Sequence, residues 1–137
     1  MPGGIESVSI PIFTNSTAKP DIESTVTQAF VNEFVNTLHV TTTNEVVMRG
    51  AITSYELTPV SYTQNDVNQE YRLTVTLSLM IVKGDQTLWE DSEISDYEDF
   101  TVIISDVTAT NEAELAALKK IAEDTARFTK ERMLEQF

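Results

Sequence analysis

Tyr71-Arg72-Leu73-Thr74-Val75-Thr76-Leu77-Ser78-Leu79-Met80-Ile81-Val82 is the stretch that decides the fold. Tyr71, Leu73, Val75, Leu77, Leu79 and Ile81 alternate with Arg72, Thr74, Thr76, Ser78, Met80 and Val82. An apolar face set against a mostly polar one at a period of two is the pattern of a half-buried antiparallel strand. Its apolar face needs an amphipathic layer to cover it, and the flanking sequence supplies both neighbouring strands and candidate covers.

Downstream, Lys83-Gly84-Asp85-Gln86 reads as a turn, and Thr87 to about Tyr97 returns as a strand carrying Leu88, Trp89 and Ile94. Upstream, residues 63–70 are polar and turn-forming, and they join the strand to a β-prone stretch over residues 46–62. Within that stretch Met48, Gly50 and Ile52 share one parity, whereas Tyr55 and Leu57 have the other. A bulge or sharp twist beside Gly50 accounts for the change, and Pro59 limits central pairing. Three long antiparallel strands are therefore consecutive.

Two segments can cover them. After Pro20, the spacing of Ile22, Val26, Ala29, Phe30 and Phe34 predicts a helix over about residues 21–37, with Asp21 and Glu23 in its first turn and His39 just past its end. The last 27 residues read as a second helix. It starts near Asn111 with Glu114 three residues on, an approximate capping box, and Leu115, Leu118, Ala122, Thr125, Ala126 and Met133 form its apolar stripe. At the amino end, Val8-Ser9-Ile10-Pro11-Ile12-Phe13 reads as a short strand, and Pro11, which has no ladder N–H, argues for a position near an edge or at the strand end. Thr14-Asn15-Ser16-Thr17 ends it in a turn, which also explains the glycosylation-like triplet there. The expected fold is α+β, one domain over residues 1–137. It is a two-layer sandwich of two helices on one face of a four-stranded mixed sheet, in the order β-α-β-β-β-α.

Composition narrows the function. The 137 residues hold 9 Lys and Arg against 22 Asp and Glu, a formal charge of −13, so phosphate-driven nucleic-acid binding has no basic patch to use. With no Cys and one His, thiolate metal sites and multi-histidine centres are excluded within the chain. Ten carboxylates between Gly84 and Lys119 have no intervening Lys or Arg, but their spacing does not reproduce an EF-hand loop, and they read as a solvated acidic face. No phosphate loop, dinucleotide fingerprint or nucleophile elbow is present, so neither an enzyme nor a bound cofactor is expected. Trp89 and Tyr71 read as packing residues, and Lys119, Lys120, Arg127, Lys130 and Arg132 as partners of Glu123, Asp124, Glu131 and Glu135 on the same helix. No apolar run is long enough to span a bilayer, and Met1-Pro2-Gly3-Gly4 is not a signal peptide.

Several of these segments, taken together, resemble one family. VSIPIFTN near the start, AFVNEF in the first helix, GAITSYELTPVSY, EYRLTVTL and then LWE follow in the order and spacing of the outer-membrane lipopolysaccharide-assembly lipoprotein family LptE, over about residues 5–135. The resemblance implies two helices packed on a four-stranded sheet and no enzymatic activity. It also implies a signal peptide and an acylated lipobox Cys upstream of Pro2, which would tether the domain to the periplasmic face of the outer membrane. The implied role is to plug and assist assembly of the LptD β-barrel and to help deliver lipopolysaccharide to the outer leaflet.

Candidate contacts of the tip with lipopolysaccharide or LptD are Gln64, Asn65, Asn68, Gln69 and Arg72. Residues 63–70 and 105–111 contain no Lys or Arg, so Arg72 is the one cation beside the tip turn, and the LptD partnership is the firmer expectation. The alternative is another periplasmic lipoprotein adaptor with a CsgG-like or TolB amino-terminal-like domain, whose opening strand also reads as VSIPIFTN.

Overall fold

The computed structural model describes residues 6–62 and 68–136. Its elements in chain order are β1 (Ser7–Ser9), β2 (Thr14–Asn15), α1 (Glu23–Phe34), β3 (His39–Thr41), β4 (Val46–Tyr62), β5 (Asn68–Lys83), β6 (Gln86–Ile103) and α2 (Val107–Gln136). Two helices with a mixed sheet stand as expected. The strand count does not: the sheet has six strands rather than four, and the order is β-β-α-β-β-β-β-α.

Both extra strands have a physical cause. Pro11 splits the expected single strand into β1 and β2, which run parallel to β4 along the same edge. Ser9 faces Val47 and Thr14 faces Ala51, so five steps on this side match four on β4, and the surplus residue is accommodated at the proline. β3 is only three residues long and is parallel to β1, with Ser7 opposite His39 and Ser9 opposite Thr41. The Asn44 side chain donates to Ser7 Oγ at 2.7 Å and the Ser9 hydroxyl to the Thr42 carbonyl at 3.2 Å, which ties the segment down. His39 thus opens a strand and does not cap α1, whose last turn closes through Leu38 N–H donating to the Phe34 carbonyl at 2.8 Å.

From β1 the sheet order is β3-β1-β4-β5-β6, and β4, β5 and β6 are antiparallel. The expected change of parity in β4 is real and falls at Thr53, where the register with β5 shifts between Ile52 and Ser54. Gly84, at φ 59, takes the first central position of the two-residue turn between β5 and β6, where a side chain would be strained. β6 continues six residues past Tyr97, to Ile103. α2 starts at Val107 and not Asn111, because the Asp106 carboxylate accepts the Ala109 N–H at 3.0 Å and caps it.

One face of β5 is the floor of the core: Leu73, Val75, Leu77, Leu79 and Ile81 are all buried, as their spacing required. Met48 and Ile52 of β4 extend this floor, and Phe30 and Phe34 of α1 with Ile121 and Met133 of α2 close over it. The two helices run in the same direction, since Ile22 before α1 lies near Leu118, while Glu33 at the end of α1 meets Lys130 at 2.8 Å. Phe13 plugs the gap between α1 and the sheet. Its ring centroid is 5.0 Å from that of Phe30, and its backbone N–H donates to the buried Thr27 hydroxyl at 2.8 Å.

Candidate functional site

The three long strands outrun α1. β1 pairs with β4 near the β5–β6 turn, and β4 then continues for fifteen residues to Tyr62, about 50 Å at strand rise. The far end of this ribbon, with the start of α2, is the candidate site. From the level of the last fully buried strand residue, Leu73, outward, side chains that would be core elsewhere are left in solvent: Leu57, opposite Leu73, is 43% exposed, Val60 42%, Ile104 55% and Val107 70%. Tyr71 and Phe100 face each other across the same end and are half-buried. An apolar end on a strongly acidic domain is a feature that asks for a partner.

A polar latch holds this end to the body. The Tyr55 hydroxyl donates a hydrogen bond to the Glu114 carboxylate of α2, and Lys19 places its ammonium 3.0 Å from the same carboxylate. Burial pushes the Tyr55 phenol well above its usual range, and the Glu114 carboxylate adds to the rise. Glu114 is therefore used across the fold, between α2, β4 and the loop before α1, rather than in a capping box with Asn111. Sequence spacing gave no sign of a pair 59 residues apart.

The expected tip contacts are distributed unevenly. Gln64 and Asn65 lie outside the described residues. Asn68 begins β5 opposite Ile103. Gln69 is half-buried and shares its parity with Leu73, so it is on the helix side, whereas Arg72 is on the opposite, uncovered side of the sheet. Arg72 forks onto Asp99 of β6, with Nε 2.9 Å from Oδ1 and a second bond of 3.3 Å to Oδ2, and its guanidinium lies 4.1 Å from the Tyr97 ring centroid. The hydrogen-bonded pair holds the Asp99 carboxyl below its usual range and raises Arg72 further. The cation singled out from the sequence is thus already partnered.

The α2 cations divide their attachments. Lys120 and Arg127 pair with Asp124 on the same helix, as expected, at 3.5 and 2.7 Å. Lys130 and Arg132 instead reach Glu33 of α1 and Asp91 of β6, at 2.8 and 2.6 Å, and so clamp the layers together. Trp89 is in the core.

A family model described as lipopolysaccharide-assembly, LptE, matches residues 5–132. The chain belongs to the LptE family. Solved structures share the fold. A minor lipoprotein from Acinetobacter baumannii is 12% identical, with a TM-score of 0.56 over 93% of this chain and 89% of that one. The rare lipoprotein B from Shewanella oneidensis is 13% identical, with a TM-score of 0.57 over 96% of each chain. The protein CT253 from Chlamydia trachomatis is 6% identical, with a TM-score of 0.52 over 94% and 95%. No curated protein sequence matches the chain. LptE is a family of lipopolysaccharide-assembly lipoproteins of the outer membrane, and no helix among the described residues is long and apolar enough to cross a membrane.

Proposed function

We propose that this LptE-family chain is a non-enzymatic subunit of an outer-membrane lipopolysaccharide translocon, acting as a plug and assembly partner of an LptD-like β-barrel. The observation that carries the reading is the family match over residues 5–132. The geometry agrees with it: a long three-stranded ribbon ends in exposed Leu57, Val60, Ile104 and Val107, far from strand β1. An N-terminal acyl anchor would then hold the body at the inner face of the outer membrane while the ribbon end reaches into the barrel.

Lipopolysaccharide delivery is the finer part of the proposal. The apolar end offers contact to acyl chains, and Gln64, Asn65, Asn68 and Gln69 offer hydrogen bonds to sugars or barrel loops. Arg72 brings its remaining N–H donors, with its charge shared with Asp99.

Co-expression of the acylated protein with its cognate barrel, followed by affinity purification through this chain, tests the reading. A stoichiometric complex with the barrel is the expected result. Recovery of the chain alone, with the barrel folded in the same cells, would overturn it.

A further inference from the structure

The geometry points to the free edge of β6, from Ser95 to Thr101, as a docking site for an extended, basic segment of a partner protein that adds to the sheet as a further strand. β6 is the last strand of the sheet. At its end Ile103 turns its backbone outward: its N–H donates to the Thr110 hydroxyl, and its carbonyl accepts from that hydroxyl and from Asp106 N–H, all at 3.0 Å. In an antiparallel strand outward and inward backbone groups alternate. Thr101, Asp99, Tyr97 and Ser95 therefore also present N–H and C=O groups outward, with no further strand among the described residues to take them.

The ribbon has two free edges, and they differ in kind. The β4 edge beyond Ile52 carries Pro59 and register shifts at Ile52/Ser54 and Pro59/Ser61, features that block strand addition. β6 pairs with β5 without a shift from Ile94 to Ile103 and contains no proline. That run is long, regular and unguarded by a break.

Charge selects the occupant. Asp96 and Glu98 lie on the helix side of the edge, and among the described residues neither has an ion-pair partner. Beside them, a groove of about 410 Å³ runs between β6 and α2, lined by Asp96, by Glu131, by Arg127 held on Asp124, and by the half-exposed Phe128 ring, over which Arg132 already lies 5.5 Å from the centroid. With the Phe128 ring already covered by Arg132, it is the Asp96 and Glu98 carboxylates that suit an incoming Lys or Arg side chain. An incoming strand with basic residues at alternate positions would place them there while its backbone pairs with β6. A second copy of this chain would instead set Asp96 and Glu98 against their own counterparts, which disfavours self-pairing.

The test uses the isotopically labelled chain and three nine-residue peptides. One alternates Lys with Val and Thr, the second has Glu in place of Lys, and the third is the Lys peptide N-methylated along one edge so that it keeps its charge but cannot pair. The expected result is amide exchange protection at Ser95, Tyr97, Asp99 and Thr101 with the Lys peptide alone, and about tenfold weaker binding of the methylated form, the loss of one or two net hydrogen bonds. Asp96→Asn with Glu98→Gln should weaken the Lys peptide severalfold without changing the fold. Equal affinity of methylated and plain Lys peptides would reduce the effect to bulk charge and overturn the proposal. So would protection of the edge by self-association without peptide, or no protection by any peptide.

Discussion

Gly50 of β4 lies directly under the ring of Phe13: a Cβ placed on Gly50 would sit 2.5 Å from Phe13 Cε2 and 2.6 Å from two neighbouring ring atoms. The glycine is there for this close approach and not for a special backbone angle. The Phe13 ring cannot move aside, because it is buried against Phe30 and its own backbone is held by Thr27. Gly50→Ala should therefore destabilise by about 1–3 kcal/mol, the usual cost of overpacking a rigid core. Urea unfolding measures this; an unchanged midpoint would mean that the ring has room to shift.

The hydrogen bond behind that arrangement can be tested separately. Thr27 Oγ1 accepts from Phe13 N–H at 2.8 Å and donates to the Glu23 carbonyl at 2.7 Å. Thr27→Val keeps the shape but leaves a buried N–H without its acceptor, for a loss of about 1–3 kcal/mol. Thr27→Ser, which keeps the hydroxyl, should cost clearly less than Thr27→Val in the same unfolding series.

Thr129 gives the opposite expectation. Its hydroxyl is buried on α2 and, among the described residues, has no hydrogen-bond partner. Thr129→Val removes a buried polar group of similar shape, so stability should be unchanged or higher. A marked fall in melting temperature would show that the hydroxyl has a partner after all.

The Tyr55–Glu114 latch makes a pH prediction. The folded state raises the Tyr55 phenol above its ordinary value of 10.0, so the protein retains that proton where the unfolded chain releases it. The stabilisation is fully present below about pH 10 and falls as pH rises above it, because the unfolded state then gains by ionising. The readout is a difference between two proteins, which isolates the Tyr55 contribution. Between pH 9 and 11.5 the wild type should lose stability more steeply than Tyr55→Phe. Parallel pH profiles would exclude the latch as the source.

Arg72 and Asp99 test lipid contact at the ribbon end. Asp99→Asn releases the Arg72 guanidinium from its carboxylate and should tighten binding of lipopolysaccharide, whereas Arg72→Gln should weaken it. Both differences should shrink as salt is raised, since the groups are solvent-exposed. Identical titrations for wild type and both variants would remove Arg72 from the lipid-contacting set.

The alternation of Leu73, Val75, Leu77, Leu79 and Ile81 carried the core face intact from sequence to structure, because a half-buried strand writes its burial into every second residue. The parity change in β4 was equally legible, displaced only from beside Gly50 to Thr53. β3 was not. Three residues exist as a strand only through pairing with Ser7–Ser9, some thirty positions earlier, and no local pattern encodes that. Pro11 marks a strand end, as its missing N–H allows, but β1 is flanked by both β3 and β4 and is no edge strand, and splitting the strand depended on how many β4 residues lay opposite. At the site, the apolar Leu57 and Val60 were visible as strand residues. Their exposure follows from α1 stopping short, and the capture of Arg72 by Asp99 follows from a register set 27 residues away.

The central claim is that the ribbon end enters an LptD-like barrel. Photo-crosslinking in cells, with the reactive residue placed at Val60 or Ile104 at that end and at Asp85 in the β5–β6 turn, tests it most directly. Adducts to the barrel from Val60 and Ile104, and few or none from Asp85, are the predicted result. Adducts from Asp85 alone, or none from any position when the barrel is folded and present, would contradict the account.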